Sequence, residues 1–117
     1  MNINIDYQSA IDFGHCETMD IARVKLSELT NILNKVIIIR QSTKKDILEV
    51  CSKYAGENLH KLSWDNKLIR LAELSGSSEL VNLWQEADIA YRQIKNKQEQ
   101  VFEDIMALKK IMDVTPR

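Results

Sequence analysis

One proline, three glycines and two cysteines are all that 117 residues contain of these types, and each scarcity excludes something. The proline is Pro116, so no ring before the C-terminus forces a helix to stop. The glycines, Gly14, Gly56 and Gly76, stand alone, which excludes a Gly-rich loop cradling phosphate. Cys16 and Cys51 lie 35 residues apart with no CxxC spacing, so neither a disulfide framework nor a zinc ribbon can be built, and both read as reduced thiols. No apolar run is longer than the four residues of Val36 to Ile39, far short of the ~18 residues a membrane span needs. The N-terminus MNINIDYQSAID has no basic stretch followed by an apolar one, so no cleaved signal is expected and a cytoplasmic site is. Charge of one sign is missing as well. Sixteen Lys and Arg balance 17 Asp and Glu, which argues against an overall electrostatic grip on nucleic acid or acidic lipid.

What is present is 44% apolar and 28% charged, the composition of a compact chain. At this length folding buries roughly two-thirds of the unfolded surface, so one core suffices without a metal or disulfide. We expect a single helical domain over 1–117, an all-α bundle of two long and two short helices. Residues 1–16 form an irregular or short N-terminal segment in which Ser9 and Asp12 resemble a capping pair.

The first long helix is placed at 17–40, because Met19, Ala22, Leu26, Leu29, Leu33 and Val36 recur at alternating spacings of three and four. Acids gather before Arg23 and bases between Arg23 and Lys45, the polarity that a helix dipole favours. The β-branched run at 36–39 would also suit a strand, pairing with the alternation Ile3, Ile5, Tyr7. A break is expected at Gln41-Ser42-Thr43, with Thr43 capping a short helix over 43–56 that Gly56 ends. Ser63 caps a second short helix over 63–75, closed by Gly76.

The strongest element is a helix over 78–113, with Pro116 closing it. Leu80, Trp84, Ala87, Tyr91, Ile94, Gln98, Val101, Ile105, Leu108 and Met112 form a heptad-like seam with one polar member, Gln98. Such a helix is ~54 Å long at 1.5 Å per residue. Its ends carry extra apolar residues, and its waist, 92–100, reads as solvated.

Chemistry is poorly represented. Asp12, His15, Cys16 and Asp20 put metal-ligand types within nine residues, half of a zinc or iron site, but His60 and Cys51 are the only other imidazole and thiol available to complete it; the plainer reading is a polar turn with one half-buried thiol. His15 and Cys16, being adjacent, point about 100° apart on a helix, and nothing orients His60 toward Cys51. GxSxG and HExxH are absent. No enzymatic activity, cofactor or metal is expected.

The expected function is therefore contact: a cytoplasmic helical interaction module, such as an adaptor, assembly factor, inhibitor or chaperone. Its C-terminal helix would hold a second copy of the chain in a homodimer, or a protein partner. Trp84, Tyr91, Phe102, Ile105, Leu108 and Met112 are the candidate contacts, because aromatic and large apolar residues carry most binding energy. The alternative is a nucleic-acid-binding regulator using the edge Arg40, Lys44 and Lys45. No helix combines a strongly basic face with a bulky apolar one, so no membrane partner is expected.

Overall fold

In the computed structural model, which describes residues 3–54, 56 and 58–114, the chain is all-α, and no strand occurs among the described residues. The helices are α1 (Tyr7–Ile11), α2 (Met19–Ser52), α3 (Trp64–Ser75) and α4 (Glu79–Val114), with a 3-10 turn at Leu59–Lys61 between α2 and α3. Two long helices pack together, as the sequence implies, but their bounds differ from expectation. Helices expected at 17–40 and 43–56 are one helix of 34 residues that ends at Ser52, before Gly56; Ala55 and the closing Pro116 lie outside the described residues.

The expected break at 41–43 fails for a local reason. Thr43 is buried, and its hydroxyl donates to the Ile39 carbonyl one turn back at 2.7 Å, so it is satisfied within a continuing helix instead of capping a new one. The β-branched run stays helical because Val36 is fully buried, Ile37 and Ile39 pack on the same core, and only Ile38 faces water. Burying such a side chain is worth about 1.5–3 kcal/mol, more than the few tenths by which Val or Ile disfavours a helix.

Caps follow their chemistry. Thr18 Oγ1 accepts the Ile21 amide at 3.2 Å to open α2, and Ser63 Oγ accepts the Asn66 amide at 3.4 Å to open α3. Gly76, at φ 68°, closes α3 in the left-handed region, where a side chain would be strained. The expected Ser9/Asp12 capping pair is not formed: Asp6 caps α1, accepting from the Ser9 amide at 3.2 Å and the Ser9 hydroxyl at 2.7 Å.

α2 and α4 run antiparallel. Gln98 meets Thr30 and Asp88 meets Arg40, so ten residues forward on one helix is ten back on the other. In that register Met19 is level with Lys109, and the last turn of α4 runs past the start of α2. Two clusters form the core. One lies along the hairpin, around Ala22, Leu29, Leu33, Val36, Ala87, Ala90, Ile94 and Val101. The other, at the α3 end, gathers Ile47, Cys51, Leu59, Leu68, Leu71, Val81 and Trp84.

The waist of α4 is not solvated all round: Ile94 is fully buried and Gln98 is 8% exposed. The molecule measures 71 × 27 × 17 Å, with a radius of gyration of 19.5 Å, against about 13–14 Å for a compact domain of this length. It is a rod two helices wide over much of its length. Its core is one layer of side chains, and the outer faces have few neighbours in the same chain.

Candidate functional site

Between Ala87 and Ile105 the seam of α4 packs into the core shared with α2, and its two flanks meet different fates. Lys97, Gln100 and Asp104, each one residue before a seam position, hold the segment that precedes α2. The Lys97 ammonium donates to the Phe13 carbonyl and sits 4.2 Å over the Phe13 ring. Gln100 Nε2 donates to the Gly14 carbonyl at 2.9 Å. Asp104 takes the Cys16 amide on Oδ2 at 2.9 Å and faces His15 Nδ1 with Oδ1 at 2.8 Å. Burial by itself would raise the Asp104 carboxyl, but the Cys16 amide, His15 and Gln100 together hold it below its ordinary value. Cys16 is buried, and burial, reinforced by the Asp104 carboxylate, pushes its thiol up, so it stays protonated.

This cluster contains two of the residues weighed for a metal or a nucleophile, and it uses them structurally. His15 is anchored by a carboxylate, while Cys16 contributes its backbone amide. Asp104, which joins them, lies 88 residues from Cys16, and no local pattern could have shown it. Among the described residues no group of three or more His, Cys, Asp or Glu is placed to hold a metal ion.

His60 and Cys51 do come together, lining a cleft of about 270 Å³ with Leu48, Ser52, Leu59 and Lys67. Burial raises the Cys51 thiol, with Lys67 acting the other way, so it too lacks the thiolate character that a nucleophile needs.

The basic edge is partly engaged. Arg40 Nε donates to Asp88 at 3.0 Å, and its guanidinium stacks on Trp84 at 4.7 Å and on Tyr91 at 4.8 Å. Lys44 sits 5.6 Å over Trp64. Lys45 is exposed and lines a shallow depression with Gln41, Lys44 and Leu48.

The six candidate contacts separate into three settings. Trp84 is 7% exposed, edge-on to Trp64 with centroids 5.0 Å apart, and Tyr91 lies half-buried beneath Arg40. Ile105 packs half-buried on the main core, and Leu108 is also half-buried. Phe102 and Met112 are exposed, at 51% and 63%. Met106, one turn beyond Phe102, is 64% exposed; its spacing of four from Phe102 was the signal that sequence reasoning passed over.

The exposed apolar residues are concentrated at one end of the rod. Of ten large ones among the described residues, six lie where α2 begins and α4 ends: Ile21, Val24, Phe102, Met106, Ile111 and Met112. Scattered single residues need no explanation, but six of the ten stand within a few turns of one end. None of the described helices is long and apolar enough to cross a membrane. No protein-family model matches this chain, and no curated protein or solved structure matches it significantly.

Proposed function

We propose that the chain is a non-enzymatic helical interaction protein that presents the end of α4, with the adjoining start of α2, to a protein partner. The observation that carries this reading is the gathering of Phe102, Met106 and Met112 with Ile21 and Val24 at one end of a narrow rod. A two-helix hairpin buries one face of each helix, and the remaining apolar surface gains free energy only from another molecule. A cytoplasmic site belongs to the same reading, and two free, buried thiols are in keeping with a reducing compartment.

The nucleic-acid reading has less support. Arg40 is held by Asp88 and two rings, which leaves Lys44 and Lys45 too few to hold a phosphate backbone.

Photo-cross-linking in the source cell tests the proposal. A photoreactive residue at position 106 should capture a discrete protein. One at position 38, equally exposed at 67% but on the outer face of α2, should not. Equal capture at both positions, or none at position 106, would reject the proposal.

A further inference from the structure

From position 95 to position 109 the flank of α4 one residue after each seam position is exposed, whereas Val81 and Asp88, earlier on the same flank, are buried or bonded to Arg40. Lys95, Glu99, Phe102, Met106 and Lys109 follow one another at spacings of four, three, four and three, which puts them on a single stripe rotated by about 100° from the seam. All five are exposed. None of the three charged residues is held in an ion pair with another described residue. The opposite flank carries Lys97, Gln100 and Asp104, already engaged by residues 13–16.

The stripe is complementary to its own reversal. Turned end to end about an axis level with position 104, it sets Phe102 against Met106 and Glu99 against Lys109, twice over. Laid parallel and in register, it sets Lys95 on Lys95, Glu99 on Glu99 and Lys109 on Lys109, so like charges reject that arrangement. We infer that the occupant of this face is a second copy of the chain, docked through α4 in antiparallel orientation. Phe102 of each copy would lie against Met106 of the other, and Glu99 of each opposite Lys109 of the other.

The inference rests on the reading of the α4 end as a contact surface, and it names the partner. Two-fold closure suits it, because an isologous contact uses one patch twice and leaves no open end. A thioether packed on an aromatic ring gives the centre a favourable contact beyond its area. The stripe spans roughly 21 Å at 1.5 Å per residue, short for an interface of standard size, so the dimer should be weak and concentration-dependent.

Sedimentation velocity at low salt, over about 1 µM to 1 mM, tests it with three variants. The wild type should pass from monomer to dimer within that range. Glu99→Lys and Lys109→Glu each place like charges opposite one another at both symmetric positions, and each should weaken association about ten-fold or more. The double variant Glu99→Lys/Lys109→Glu should return to within a few-fold of the wild type. These side chains are exposed, so circular dichroism should be the same for all four proteins.

A wild type that stays monomeric throughout overturns the inference, as does a dimer indifferent to the single changes or a double variant that fails to recover. The broader reading is judged separately. If the wild type is monomeric yet position 106 still captures another protein in the cell, self-docking falls and the contact surface stands.

Discussion

Asp104 and His15, 89 residues apart, face each other at 2.8 Å, with the second Asp104 oxygen held by the Cys16 amide at 2.9 Å. That carboxylate latches the segment before α2 onto the last third of α4. Asp104→Asn should cost about 1.5–3 kcal/mol, the range for hydrogen bonds to a charged group. His15→Ala, at a side chain 80% exposed, should cost much less. Because the folded carboxyl titrates below its ordinary value, its contribution is complete above about pH 4 and is lost as pH falls through the lower folded value. Denaturant midpoints measured from pH 7 down to about pH 2 should fall less steeply for Asp104→Asn than for the wild type.

Both thiols are protonated at neutral pH because burial raises them. In the native state they should react with iodoacetamide far more slowly than in denaturant, read by mass spectrometry of timed aliquots. Their sign is opposite to that of Asp104. A raised thiol contributes stability below its ordinary value near 8.5, and the contribution fades as pH climbs through the higher folded value. Cys51→Ser should cost on the order of 1–3 kcal/mol by placing a hydroxyl on an apolar face. Fast alkylation of native Cys16 would show that the latch is open in solution.

Arg40 ties α2 to α4 by a bond to Asp88 at 3.0 Å and by stacking on Trp84 and Tyr91. Arg40→Ala should destabilise by about 1–3 kcal/mol and shift tryptophan emission. Asp88 keeps Arg92 at 3.0 Å, which limits the loss. Arg40→Lys should recover only part of it, since an ammonium lacks the planar fork that serves both rings and the carboxylate.

The middle of α4 is core-facing at Ile94, Gln98 and Val101. Native-state hydrogen exchange should therefore protect 87–101 most strongly and 109–114, past the start of α2, least. Gln98 Nε2 donates to Thr30 Oγ1 at 3.3 Å, and Thr30 is exposed enough to bond water in its place. Gln98→Leu should thus be neutral to stabilising in thermal melts while loosening the register of α2 on α4. Protection confined to the two ends of α4 would contradict this packing.

Helical periodicity is a local property, and it was legible: the seam of α4, the caps of α3 at Ser63 and Gly76, and the apolar stripe from Met19 to Val36 follow from spacing and from which groups can satisfy free amides. The all-α class, with two long helices packed together, followed from that periodicity. Continuity through 41–43 did not, because the capping chemistry of Thr43 is local, and burial of Thr43 and Ile47 against distant residues outweighed it. Tertiary structure alone decided which flank of α4 is covered. The latch of Asp104 on Cys16 and His15 closes one flank across nearly the whole chain length, and the same docking leaves Phe102 and Met106 bare on the other. A heptad pattern states that a helix has an apolar face; what covers its neighbouring faces depends on where the rest of the chain is carried, and that is a long-range property of packing.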